Sequence, residues 1–241
     1  MSGTRSRFQR AQATDRTAVL VSHGQPSAPL DAEEEFDGLR AKVAAMLPDW
    51  KILSATLANP DALPAALKQA GPCPLVYPVF MTDGWFTQTA LPKRLNGSRA
   101  DVLPPLGVDP VLVPLAAHRL KAELKASGWS AEDTCLVVAA HGSGRSRNPA
   151  RETRDFANAL QALTGFGTVR TGFIEEQPSL AEALANSGSK AICLPFFASR
   201  RDHVLDDLPA AVKDAGFHGK VLEPVGLFPS VPSMIALALV A

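Results

Sequence analysis

Cysteine is scarce in this chain. Its three residues, Cys73, Cys135 and Cys193, form no CxxC pair, which excludes a zinc knuckle and a thioredoxin-type redox motif. Each lies in or beside an apolar run, so all three are expected as free, buried thiols, consistent with a reducing cytoplasm. Net charge is also lacking, because 24 Lys and Arg residues meet 24 Asp and Glu. Without a cationic excess the chain is not a dedicated nucleic-acid binder, and an anionic ligand must be met by a local patch. No apolar stretch approaches the roughly 20 residues that span a bilayer. The stretch from Val231 to Ala241 is expected instead to be a packed amphipathic helix. Residues 1–15 carry arginines with no apolar core behind them, so they read as a disordered tail rather than a secretory signal.

What is present is a globular composition: 241 residues, 46% hydrophobic and 20% charged, enough for a sizeable core. Apolar runs expected as strands are Thr17 to Ser22, Lys51 to Leu57, Pro74 to Phe80, Pro110 to Leu115, Thr134 to Ala140, Thr168 to Ile174, Lys190 to Phe197 and Lys220 to Val225. Between them, Asp31 to Leu47, Leu63 to Ala70, Pro149 to Leu163, Leu180 to Asn186 and His203 to Ala215 repeat apolar residues at three- and four-residue spacing, the period of helices. Buried strands alternating with amphipathic helices imply an α/β fold with parallel sheets, whose ligands gather beyond the carboxyl ends of the strands.

The chain also repeats itself. Ser22-His23-Gly24 returns as Ala140-His141-Gly142 at an offset of 118, as does Pro60 at Pro178, while Tyr77-Pro78 returns as Leu194-Pro195 and Leu91-Pro92 as Leu208-Pro209 at 117. Two homologous α/β halves follow, residues 16–127 and 133–241. Ser127-Gly128 supplies the helix stop at the boundary.

Positions the copies share serve the fold, so polar positions found in one copy only point to a site. In the later half His141, Glu175 and His203 fall at the ends of three successive strands. In the earlier half only His23 remains: Phe86 falls opposite His203, and at an offset of 118 Leu57 and Ala58 fall opposite Glu175 and Glu176. Two imidazoles and a carboxylate suit a late first-row dication such as Co²⁺, Fe²⁺, Ni²⁺ or Zn²⁺ and leave coordination positions open. His23 alone reads as a turn residue, and His118 and His218 as surface or cap residues. Neighbouring strand residues face opposite ways, so one of Glu175 and Glu176 points into the crevice. The loop Gly142-Ser143-Gly144-Arg145-Ser146-Arg147 matches neither a P-loop nor a dinucleotide pattern, and no G-x-S-x-G elbow is present. Ser143, Arg145, Arg147, Arg200 and Arg201 are therefore expected as a basic rim suited to carboxylates.

The strand-HGS start, the GFIE strand end and the PFF-x5-H-x3-D-L-P segment of the later half resemble the sirohydrochlorin chelatases, the small class II chelatases. The HGQPS and EEEFDGL segments of the earlier half resemble the same domain in degenerate form, so the resemblance spans nearly the whole chain. It implies insertion of cobalt or iron into sirohydrochlorin for cobalamin or sirohaem synthesis, with His141 and His203 holding the metal and Glu175 assisting as ligand or proton acceptor. The metal is then a substrate, no nucleotide or organic cofactor is needed, and a tetrapyrrole is the partner, bound in a ligand cleft between the two halves. The pattern departs from the family in one respect: two-half members are expected to carry the complete pair in the first half, whereas here the second half carries it. A monomer or homodimer is expected, and a non-catalytic metal or tetrapyrrole carrier is the alternative.

Overall fold

The first apolar run forms β1 (Thr17–Ser22), an inner strand whose alternate side chains serve two different cores. Ala18 and Leu20 face the core shared by the two halves, while Val19 and Val21 face a core belonging to the first half alone. The computed structural model describes residues 16–143, 148–201 and 203–241.

In the first half, α1 (Pro29–Met46), β2 (Lys51–Thr56), α2 (Ala62–Ala70), β3 (Leu75–Pro78), a π-helical turn (Phe86–Ala90), α3 (Leu91–Arg94), β4 (Asp101–Val102), a 3₁₀ turn (Leu106–Val108) and α4 (Leu112–Ser127) follow β1. The second half repeats this order with β5 (Cys135–Ala140), α5 (Asn148–Thr164), β6 (Thr168–Phe173), α6 (Leu180–Leu184), β7 (Ala191–Pro195), a π-helical turn (His203–Asp207), α7 (Leu208–Asp214), β8 (Lys220–Val221), a 3₁₀ turn (Val225–Leu227) and α8 (Val231–Val240). Both sheets are parallel, in the order β2-β1-β3-β4 and β6-β5-β7-β8. The same fold is built twice.

The last helix of each half packs against the first helix of the other: α4 on α5, and α8 on α1. Their buried residues, Leu112, Leu120 and Leu124 from α4 and Met234, Ile235 and Leu239 from α8, belong to the shared core. Burying each such side chain contributes about 1.5–3 kcal/mol, so the exchange of helices fixes the halves to each other. A polar tie adds to it, with Lys220 Nζ of β8 donating to Glu123 Oε1 of α4 at 2.8 Å and lying over the Trp129 ring.

Several expectations are corrected. The segment Pro110 to Leu115 is not a strand but the turn into α4. The Asp109 side chain accepts the Val111 N–H at 2.9 Å, and Pro114, in the first turn, has no N–H that the helix would need. The first sheet ends instead in β4, whose two residues pair with Leu75 and Val76 and are too few to show a period. Helix α8 is packed as expected, but it lacks a polar face, since its exposed positions include Leu237 and Val240. Cys135 and Cys193 are buried and free, whereas Cys73 is free but exposed, in a turn with φ of 57°. The pairing also moves the slip in the repeat. Leu57 N–H bonds Ser22 O as Ile174 N–H bonds Ala140 O, and Ala58 N–H bonds His23 O as Glu175 N–H bonds His141 O. Glu175 therefore stands opposite Ala58 rather than Leu57, and Glu176 opposite Asn59. His118 and His218 are exposed, as expected. Among the described residues no helix is long and apolar enough to cross a membrane.

Candidate functional site

His141 follows β5 directly, and His203 opens the π-helical turn beyond β7. The neighbouring strands β5 and β7 deliver the two side chains to one crevice, where the rings meet edge to face with centroids 4.3 Å apart. Gly142 lets the chain turn away at once, with φ of 73°, a conformation that favours glycine.

Each imidazole is held at Nδ1. His203 Nδ1 lies 2.7 Å from Asp207 Oδ2, one turn along the same helix. His141 Nδ1 lies 3.1 Å from Gly142 O, and Glu175 Oε2 is 3.7 Å from the same nitrogen. A carbonyl can only accept, so His141 Nδ1 carries the hydrogen and its Nε2 presents a lone pair. Asp207 imposes the same tautomer on His203. Carboxylate or carbonyl anchoring of one imidazole nitrogen, with the other left free, is the usual preparation of a histidine for metal binding.

Glu175 and Glu176 lie in the bend beyond β6 (Thr168–Phe173) rather than on the strand, so it is the loop that turns one carboxylate to the histidine and the other away. Glu175 is half-exposed and approaches His141 from the Nδ1 edge, with Oε2 at 3.7 Å. Glu176 turns into the loop instead, where Oε2 accepts the Ser143 N–H at 2.9 Å and Oε1 lies 3.7 Å from Arg154. Among the described residues, no group of three or more His, Cys, Asp or Glu side chains is placed to hold a metal ion, so Glu175 does not complete a three-ligand set with His141 and His203. Two imidazoles on an open crevice can hold an ion and also release it. Asp207 was absent from the expected site. Its signal in the sequence was the spacing His203-x3-Asp207, lost in the first half as Phe86 and Ala90.

The first half reproduces the geometry without the chemistry. His23 meets Phe86 edge to face at 4.4 Å, and its Nδ1 bonds Gly24 O at 2.8 Å. A phenyl ring occupies the place of His203.

The expected basic rim is largely neutralised among the described residues. Arg200 is paired with Glu223. Arg201 reaches the first half, where it pairs with Glu35 at 2.6 Å and bonds Gln25 Oε1 at 3.3 Å. Ser143 takes part through the backbone bond to Glu176, and Arg145 and Arg147 lie outside the described residues. At the His141 crevice the corresponding crossing is made by the first half: Asp83 N–H donates to Glu152 Oε2 of α5 at 2.7 Å. Burial raises the Glu152 pKa, against the opposing effect of the Asp83 N–H bond. Each crevice thus has a loop of the opposite half at its rim.

The solved structure of CbiX, described as the terminal enzyme for biosynthesis of siroheme in denitrifying bacteria, matches with 44% sequence identity and a TM-score of 0.84, over 93% of this chain and 98% of that one. The chain belongs to the CbiX family. The CbiX family model itself matches residues 135–236, the stretch that holds His141, Glu175, His203 and Asp207. A probable sirohydrochlorin cobaltochelatase of Halobacterium salinarum is 26% identical over 160 residues, which span 56% of this chain and 55% of that protein. SirB from Bacillus subtilis with Fe³⁺ is 17% identical with a TM-score of 0.74 over 94% of both chains, a likeness of fold. Both halves of this CbiX protein therefore belong to one chelatase-like architecture.

Proposed function

We propose that this protein is a sirohydrochlorin chelatase, inserting Co²⁺ or Fe²⁺ into the macrocycle during cobalamin or sirohaem synthesis. The observation that carries the reading is the His141–His203 pair, with rings 4.3 Å apart and both Nδ1 atoms occupied. The relatives' names supply the substrate. The metal is a substrate here, and no nucleotide or organic cofactor enters the reaction.

Insertion exchanges two pyrrole N–H protons for one dication. The two Nε2 lone pairs hold the incoming ion at the open side of the crevice and replace part of its water shell, which lowers the cost of desolvation at transfer. Asp207 keeps the His203 ring in the binding tautomer. Glu175, beside His141 and half-exposed, accepts pyrrole protons in turn and passes them to water. Loops carrying Ser143, Arg145, Arg147 and Arg200 position the peripheral carboxylates. Arg200 does so only by exchanging Glu223 for a carboxylate of the substrate, while Arg201 stays with Glu35 on the His23 side. The halves 16–127 and 133–241 act as one unit in a monomer or homodimer, in the cytoplasm, where the free thiols stay reduced.

Single-turnover insertion of Co²⁺ into sirohydrochlorin, followed by absorbance, tests the reading. His141→Ala and His203→Ala are expected to lose most of the acceleration, and His23→Ala to keep it. Equal rates for all three overturn the assignment. Tight tetrapyrrole binding with no acceleration by the parent protein identifies a carrier instead.

A further inference from the structure

A cavity of about 490 Å³ lies between the halves on the His23 side, away from the His141–His203 pair. Its origin is visible in the repeat. Val79 and Phe196 hold the same place in the two sheets, since Val79 N–H bonds Val21 O and Phe196 N–H bonds Ala139 O, each at 2.7 Å. In the second half the Phe196 ring is buried against Phe156, with centroids 4.4 Å apart. In the first half Val79 supplies no such ring, and α1 presents Gly38 to the cavity. Gly38 is exposed, and a Cβ built on it would meet nothing within 4 Å, so it borders the open side of the cavity. The aromatic pair is present beneath the second half's site and absent from the first.

The hollow has a definite chemistry. Phe36 and Leu39 of α1 and Leu227 and Phe228 of the second half form apolar walls. Lys42 and Arg201 bring two positive charges to the lining, and Glu35 brings one negative. Among the described residues Lys42 takes part in no ion pair, so one cation is left to meet a ligand. A mostly apolar pocket of a few hundred Å³ with one or two charged groups suits a small organic molecule. We propose that this cavity binds a compact aromatic anion, an apolar body bearing one carboxylate or sulfonate, at a site separate from the metal crevice. The apolar body occupies the space between Val79 and Gly38, and the acid group pairs with Lys42 at the mouth. The site depends on the inter-half geometry and not on the chelatase reading.

Fluorescence titration of the full chain with 8-anilinonaphthalene-1-sulfonate tests it. The expected result is saturable binding of one probe per chain. Gly38→Leu and Val79→Phe, which fill the hollow from opposite walls, are expected to weaken binding at least tenfold while the melting temperature is held or raised. Lys42→Gln is expected to weaken it several-fold and to reduce its salt dependence. His141→Ala leaves this titration unchanged whatever it does to metal insertion, so the two readings fail separately. Parent-like binding by both cavity-filling variants, or non-saturating binding of several probes, overturns the proposal.

Discussion

His203 Nδ1 and Asp207 Oδ2 lie 2.7 Å apart across a single π-helical turn, and the equivalent turn of the first half carries Phe86 and Ala90. A histidine and its orienting carboxylate thus occur together in one half and are absent together from the other. Such partners are expected where ring orientation matters to ligand binding.

Asp207→Ala is therefore expected to lower Co²⁺ affinity by about 10–100-fold, read from the cobalt absorption bands on titration. Asp207→Asn, whose amide oxygen can still accept from Nδ1, is expected to retain most of the affinity. Equal losses in both variants would show that charge, not orientation, is what Asp207 supplies.

The first half already holds His23 against Phe86 in the arrangement His141 makes with His203, at 4.4 and 4.3 Å. The double substitution Phe86→His and Ala90→Asp restores both missing groups. Equilibrium dialysis should then find a second cobalt ion per chain, lost again on adding His23→Ala.

Gly142 combines a φ of 73° with a position where a Cβ would fall 2.8 Å from Glu176 Cγ and 3.1 Å from Phe173 Cβ. Gly142→Ala adds about 1–2 kcal/mol of backbone strain and pushes Glu176 from the Ser143 N–H. Thermal melting should drop by several degrees, and metal affinity should fall as the His141 loop shifts.

Lys220 holds the Glu123 pKa below its usual 4.5, with Arg119 adding to the effect. The lowered pKa makes the folded state favour the ionised form. Its stabilising contribution is complete above pH 4.5 and is lost as the pH falls through the lowered value. Hydrogen bonds to charged groups contribute about 1.5–3 kcal/mol when shielded, less where solvent screens them, as at the half-exposed Lys220. Glu123→Gln should cost about 1 kcal/mol at neutral pH by urea denaturation. The variant and the parent should converge in acid.

Most strands were legible because buried parallel strands are continuous apolar runs, as β1, β5 and β7 are, and each of these lies within its expected segment. The failures share a cause. Val111, Leu112 and Val113 read as a strand locally, yet α4 is stabilised by α5, a helix contributed by the other half. Asp101 and Val102 could not show a period in two residues, and their strand exists because β3 offers an open edge.

The candidate site divides in the same way. His141, Glu175 and His203 stand out because one copy keeps a pattern the other has lost, a comparison that needs no coordinates. Which imidazole nitrogen is left free was not legible, because that depends on Gly142 O and Asp207 approaching within hydrogen-bonding distance. Arg201 read as a free rim cation because Glu35, its partner, lies in the other half of the chain.

The sequence alone determined the duplication, the alternation of strand and helix, and the half in which two histidines survive, since each is written in local period or in residue identity at a fixed offset. Only the tertiary structure decided which helices cross between the halves, which arginines are neutralised and where a cavity remains. Those outcomes depend on groups distant in sequence meeting within a few ångströms, and their energies exist only once the chain has folded.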